Sequence, residues 1–140
     1  MSRNTQTLKE LIMTTLTADG TLQTLLGGAG KIRHANPSQL AEYPCVVYSI
    51  ITEDDNAYST DRKSDITNTR LGIQVFSKTT SCQEADSISD RIFEILDGQN
   101  LVASGILCYS CYRISSFPMF EPDVKVWRIE NRFNLINTIL

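Results

Sequence analysis

The chain has 140 residues, of which 41% are hydrophobic and 21% charged, proportions typical of a globular domain and unlike those of a disordered or collagen-like chain. Thirteen Lys and Arg against sixteen Asp and Glu give a net charge of −3, which argues against a basic surface for nucleic-acid phosphates. The N-terminus shows no apolar signal-peptide core, and no apolar run approaches the roughly 18 residues of a membrane span. We therefore expect one soluble domain, residues 1–140, made in the cytoplasm.

The N-terminal segment, residues 5–26, predicts a helix with a bent tail. Asp19 interrupts the pattern and can cap a second short helical stretch, because its carboxylate accepts a hydrogen bond from a free backbone N–H. Gly27 and Gly28 end that stretch, since glycine accepts the left-handed conformation just past a helix. The apolar residues at helical spacing are Leu8, Leu11, Ile12 and Leu16.

Two strands are predicted next, at residues 43–52 and 69–76, where β-branched and aromatic residues are frequent. Between them, residues 53–68 are polar throughout and hold five acids and two bases. We interpret this segment as a solvated loop or the tip of a long hairpin. A short extra strand near residues 31–34 is also possible.

A second helix is predicted from Ser81 to Gly98. Ser81 and Glu84 have the spacing of a capping box, in which each side chain satisfies a free backbone N–H of the other residue. Two long strands follow, at 101–117 and 124–136, with a two-proline connection at 117–123. The order helix, strand, strand, helix, strand, strand predicts an α+β fold. Its mainly antiparallel sheet has four or five strands, with two helices packed on one face.

The cysteines offer the most suggestive motif, Cys108-x-x-Cys111. A structural zinc site needs four ligands, and Cys45, Cys82 and His34 are scattered singly. Residues i and i+3 of a regular strand also point to opposite faces, so the pair cannot hold one ion without a bulge. We predict small buried hydrophobic thiols and no metal.

Other catalytic or cofactor patterns are weak. His34 is the only histidine, and no nucleophile turn accompanies it. Glu53, Asp54 and Asp55 are consecutive acids in a polar stretch, which are usually solvated. Residues 27–31 lack the spacing of a phosphate-binding loop and follow a helix rather than a strand. The sequence therefore predicts no catalytic residue and no cofactor.

An excess of apolar strand surface is the more informative feature. Two helices can cover one face of the sheet, yet the second face is also expected to be apolar. An exposed patch of that size usually marks a protein interface, which favours assembly over catalysis. The residues assigned to this second face are Val46, Tyr48, Ile50, Phe76, Leu107 and Tyr109.

The order of these elements resembles the tail-terminator, or tail-completion, proteins of long-tailed phages and prophages, across nearly the whole chain. The resemblance rests on Leu22–Gly28, the Tyr43–Tyr48 strand, the Arg70–Phe76 strand, the helix from Glu84 to Gly98, and Glu121-Pro122-Asp123 leading into Trp127-Arg128. The acidic segment 53–68 and the cysteine-rich strand at 108–111 depart from the family pattern.

The resemblance implies a structural virion protein and not an enzyme. Such a protein forms a ring, typically a hexamer, that caps the tail tube, ends its polymerisation and offers a docking surface for the head connector or head-completion protein. The implied location is the head-proximal end of the tail. DNA passes through the bore without specific binding, which the acidic balance allows.

A heterologous ring needs two different patches on each subunit. We expect the apolar second face and its edges to supply them, with Tyr48, Phe76 and Tyr109 as anchors. Arg128 and Arg132 can pair with acids of a neighbour. Segment 53–68 can reach the neighbour, the bore or the tube, and its candidate contact residues are Asp54, Asp55, Tyr58, Arg62 and Lys63.

Two other interpretations remain open at this stage. One is another neck, head-closure or tube-associated phage protein, which a small α+β fold could equally support. The other is a small cytosolic enzyme or ligand-binding domain that uses Cys108, Cys111 or His34.

Overall fold

The computed structural model describes residues 5–27, 32–34, 43–56, 66–78, 82–103, 106–122 and 125–139. In these residues the chain forms three helices and six strands. In chain order they are α1 (Thr5–Thr17), α2 (Gly20–Leu26), β1 (Ile32–His34), β2 (Cys45–Asn56), β3 (Ile66–Ser77), α3 (Gln83–Leu96), β4 (Leu101–Ala103), β5 (Ile106–Glu121) and β6 (Val126–Ile139).

All six strands belong to one sheet, in the order β1-β2-β3-β6-β5-β4. The four long strands pair antiparallel, and β1 lies parallel to β2 at one border. The helices pack on one face, where their apolar side chains join those of the sheet in a single core cluster. The α+β class with a mainly antiparallel sheet is therefore confirmed. The short β1 matches the extra strand considered near residues 31–34.

The helix ends follow the predicted local chemistry in part. The Leu22 backbone N–H donates to Asp19 Oδ2 at 2.8 Å, so Asp19 caps α2 as expected, and Gly27 ends it with φ of 80°. Ser81 of the proposed capping box lies outside the described residues. Glu84 accepts a hydrogen bond from the Ser77 hydroxyl at 2.8 Å, which ties the start of α3 to the end of β3.

Three strand boundaries differ from the sequence-based prediction. The strand expected at 101–117 is divided into β4 and β5, which pair as a hairpin. β5 also continues through the predicted two-proline connection as far as Glu121. Finally, β2 and β3 remain paired as far as Asn56 and Ile66, well inside the polar segment 53–68. Backbone pairing with a neighbouring strand outweighed the low strand propensity of these residues.

The prediction that Val46, Tyr48 and Ile50 lie on the second face was wrong. These residues are paired with Val75, Ile73 and Leu71 and pack into the helix-covered core. Because side chains alternate along a strand, the pairing register decides which residues share a face. That register depends on the partner strand and could not be deduced from β2 alone.

An ion pair joins α2 to α3 above the core. The Arg91 guanidinium donates from Nη2 to Asp19 Oδ1 at 2.6 Å and from Nε to Asp19 Oδ2 at 2.8 Å. This two-point contact lowers the pKa of Asp19 below its ordinary value of 3.8, chiefly through the hydrogen bond from Arg91. The same carboxylate thus caps one helix and binds the next.

We expect Asp19→Asn to reduce stability at neutral pH. Asparagine still caps α2, so the substitution removes mainly the charge-assisted contact with Arg91. A lowered carboxylate pKa contributes stability that is present above the ordinary value, 3.8, and is lost as the pH falls through the folded-state pKa. Urea unfolding from pH 7 to pH 3 measures this. The difference in stability between wild type and variant should narrow towards the acid end, and a constant difference would contradict the assignment.

Candidate assembly interface

The sheet face away from the helices, called the open face below, carries both polar and apolar residues. Its apolar part is small and lies near the start of β2. It consists of Cys45, Val47, Phe76 and Val126, with half-buried Tyr43 packed against them. The Tyr43 and Phe76 rings meet edge to face at 6.5 Å. These residues are therefore already covered within one chain.

The proposed anchors lie in different environments. Phe76 lies on the open face, in register with Arg128 of β6. Tyr48 is only 3% exposed and lies under α1, where its hydroxyl donates to the Lys9 carbonyl oxygen at 3.2 Å. Burial there raises the pKa of Tyr48. Tyr48 thus anchors the helix layer to the sheet and is not part of the open face.

The two arginines of the proposed interface have acidic neighbours in their own chain. Arg128 Nε lies 3.3 Å from Glu121 Oε1, and Arg132 Nη2 lies 3.3 Å from Glu130 Oε1. Arg132 also lies over the Phe117 ring, 5.7 Å from its centroid. The charges at this part of the open face are therefore locally balanced.

The structure places the remaining predicted contact residues only in part. Asp54 and Asp55 belong to β2, where their backbones are in register with Asn68 and Thr67. Tyr109 belongs to β5, and the side chains of these three residues lie outside the described part. Tyr58, Arg62 and Lys63 fall outside the described residues altogether. Phe76, Arg128 and Arg132 are brought together on one face, whereas Tyr48 lies on the other.

Exposed apolar side chains are concentrated on the two outermost long strands. Of the seven large hydrophobic residues that are exposed in the described part of the chain, five belong to β2 or β5: Ile51, Tyr112, Ile114, Met119 and Phe120. Phe120 packs on Trp127 with ring centroids 5.1 Å apart, yet it keeps nearly half of its surface exposed. Patches of this kind are typical of protein interfaces.

Four of these five residues, Ile51, Ile114, Met119 and Phe120, are not predicted as contact residues from the sequence. The two prolines in residues 117–123 favour a connection, although an edge strand tolerates proline on its unpaired side. A pairing irregularity between Ile50 and Thr52 exposes Ile51, which lies across Gly72; a Cβ at that glycine would come within 3.0 Å of Ile51 Cδ1. The run Phe117-Pro118-Met119-Phe120 was the one available signal, since such a run is unusual in an exposed turn.

The cysteines are buried rather than arranged for chemistry. Cys108 and Cys111 both face the helix-covered core, because a pairing irregularity between Cys108 and Ser110 breaks the alternation. Burial, followed by the neighbouring Cys108, raises the pKa of Cys111 to about 12. The Cys111 thiol is therefore protonated and unreactive at neutral pH.

No group of three potential metal ligands occurs within the described residues. His34 belongs to β1, in register with Tyr48, and its side chain lies outside the described part. None of the described helices is long and apolar enough to cross a membrane.

The described residues thus form a mainly antiparallel sheet with one helix layer, buried thiols and exposed apolar side chains on its outer long strands, an arrangement that suits contact with other chains. Comparison with known families agrees, because the family model described as tail completion protein gp17 matches residues 10–137. The chain belongs to this tail-completion family. It is accordingly a structural component of a phage or phage-like tail and virion, and not an enzyme.

Solved structures share the fold. A chain from the virion of a native gene transfer agent particle superposes with a TM-score of 0.76 at 20% identity, covering 98% of this chain and 99% of that chain. The gp17 protein of bacteriophage SPP1 gives a TM-score of 0.53 at 19% identity, with coverages of 91% and 88%. A search of curated protein sequences found no match.

Thiol reactivity provides a direct test of the buried-cysteine assignment. We expect a disulfide reagent at pH 8 to modify Cys82 alone in the folded protein, because it is the one cysteine that is not fully buried. The other three should react only after unfolding in denaturant. Cys82→Ser is the matched control and should abolish native-state labelling; rapid labelling of Cys108 or Cys111 would contradict the structure.

Proposed function

We propose that this chain forms a ring that caps the head-proximal end of the tail tube, stops tube polymerisation and provides the docking surface for the head connector. Membership of the tail-completion family is the observation that carries the proposal. The exposed apolar residues support it, since Ile51 lies on β2 and four others lie on β5, the two outermost long strands of the sheet. Two different patches per subunit are what a closed heterologous ring requires.

The partners follow from this position. One side of the ring contacts the tail tube protein and the other the head connector or head-completion protein. The expected ring is a hexamer, as in the proteins that the sequence resembles. DNA crosses the bore without specific binding, which is supported by the net charge of −3 and by glutamates beside Arg128 and Arg132.

The proposal also assigns a role to the polar segment 53–68. Its described ends, residues 53–56 and 66–68, continue β2 and β3 as paired strands at one end of the sheet. An acidic extension can reach a neighbouring subunit, the bore or the tube, and a polar segment of this composition can become ordered on contact.

Ring formation can be tested by native mass measurement of the purified protein, alone and after mixing with its tube protein. We expect a closed oligomer in at least the second sample, and tube assembly should stop when the protein is added. A monomer in both samples, with unchanged tube growth, would contradict the proposal. Finding the protein on purified heads that lack tails would instead favour a head-closure role.

Shortening the hairpin tests the role of segment 53–68. We expect replacement of residues 57–65 by Asn-Gly, a two-residue sequence that closes hairpins well, to leave the fold intact because it keeps all of the described pairing, as far as Asn56 and Ile66. Joining of heads to tails in an in vitro complementation assay should fall strongly. A serine-rich replacement of equal length is the control for hairpin reach. Full joining by the shortened protein would remove this role and leave the ring proposal standing.

A further inference from the structure

The sheet has two borders that no other described strand covers. On β2, β1 pairs only with Val46–Tyr48, which leaves residues 49–56, called the β2 edge. On β5, β4 pairs only with Ile106–Cys108. Gly98 N–H then donates to the Cys111 carbonyl oxygen at 2.7 Å, and Arg113 N–H donates to Asp97 Oδ1 at 2.8 Å. Residues 114–121 remain and are called the β5 edge.

We propose that the ring closes by strand pairing, with the β5 edge of one subunit joined antiparallel to the β2 edge of the next. The occupant of each edge is thus a second copy of this chain. The inference rests on the proposed ring and specifies the surface that builds it. An unpaired edge of a sheet is a template for another strand, and β2 and β5 each present a stretch of equal length that no other described strand covers.

The strand directions suit a ring. β2 is antiparallel to β3, β3 to β6, and β6 to β5, so β2 and β5 run in opposite directions within one subunit. Rotation about a ring axis leaves the direction of a strand along that axis unchanged. The β5 edge therefore meets the next subunit's β2 edge antiparallel, and the same contact can repeat until the ring closes.

The positions of the two edges along the sheet also suit a closed structure. Thr52, Arg70, Asn134 and Tyr112 form one row across the four long strands. The β2 edge is centred on this row, whereas the β5 edge follows Tyr112 towards the end of the sheet where β2 begins. Placing the two edges side by side over their full length displaces the next subunit by about five residues, or about 17 Å along the strands.

This displacement has the size that barrel closure needs. Four strands span about 19 Å across the sheet, so a shift of about 17 Å per subunit corresponds to a strand tilt of about 40°. Strands in closed barrels tilt by roughly 35–45°. The short strands do not obstruct the contact: β1 of the next subunit begins just beyond Glu121, and β4 lies beyond that subunit's Asn56.

In this register the exposed apolar side chains oppose one another. Ile51 and Met119 become direct neighbours, and both lie on the open face: Ile51 lies across Gly72, and Met119 Sδ lies 3.2 Å from Arg128 Nη2. Phe120 opposes half-buried Ile50 on the other face. Cross-strand apolar pairs of this kind stabilise a sheet, and pairing would cover surface that a single subunit leaves in water.

Charge favours this pairing over pairing of like edges. Glu53, Asp54 and Asp55 lie on the β2 edge, so two β2 edges would bring acids together. The β5 edge carries no acid before Glu121. Pro118 cannot donate a hydrogen bond, which costs the contact one bond and also discourages pairing with unrelated strands.

Disulfide cross-linking between subunits tests the register. We would introduce Ile51→Cys together with Met119→Cys in a Cys82→Ser background, because the other three native thiols are buried. Mild oxidation should give a ladder of covalent oligomers that ends at the closed ring. Ile51→Cys combined with Phe117→Cys or Glu121→Cys tests a slip of two residues, the smallest slip that keeps the same face. Leu25→Cys with Met119→Cys is the control and should not cross-link.

A charge substitution provides a second readout. Met119→Lys should convert the ring to monomer in native mass spectra without loss of the folded circular dichroism spectrum. Leu25→Lys should leave the ring intact, and the two sites are matched in exposure at 39% and 36%. A ring that survives Met119→Lys and gives no cross-link in any of the three pairs overturns this inference but leaves the proposed function in place.

Two further outcomes would also overturn the inferred strand pairing. Covalent dimers from Met119→Cys alone would show two β5 edges joined to each other, which overturns the inference. A wild-type protein that stays monomeric with and without the tube protein overturns the proposed function, and the inference with it.

Discussion

The incomplete covering of the sheet's two borders by other described strands is the constraint on which the rest of this structure depends. A strand needs partners for its N–H and C=O groups, and an exposed border invites pairing with any available strand. Here β1 and β4 cover three residues each, and the end of α3 covers Cys111 and Arg113. Within the described residues, such partial covering leaves two defined edges, which would suit the strand pairing between copies that we propose.

The helix layer supplies the stability that leaves those edges available. Leu8, Ile12, Leu16, Ile88 and Ile92 are buried against the centre of the sheet, and the Asp19–Arg91 contact fastens α2 to α3. On the open face, a small apolar cluster around Phe76 closes one end, and ion pairs occupy the middle. A subunit of this kind folds around one face and keeps its strand borders for assembly.

The sequence predicted the elements that depend on local chemistry. The helices predicted from apolar spacing, the Asp19 cap and the strands predicted from β-branched residues are all present in the structure. The order of these elements was enough to identify the family. The interface was harder to predict because it depends on register. One residue of shift between β2 and β3 moves Tyr48 from the open face to the core, and the pairing irregularity between Cys108 and Ser110 places Cys108 and Cys111 on the same face. No local pattern encodes these non-local choices.

Proline and acidic residues on the two edges appear at first to oppose pairing, since natural sheets use both to prevent aggregation. They have different consequences for different partners. Acids on the β2 edge repel a second β2 edge, while the β5 edge has no acid before Glu121. Pro118 weakens contact with any strand by one hydrogen bond, yet leaves the apolar contacts of Met119 and Phe120. Residues that disfavour wrong pairings while sparing one correct pairing give specificity through a difference in affinity, and this difference would favour the proposed ring over an open aggregate.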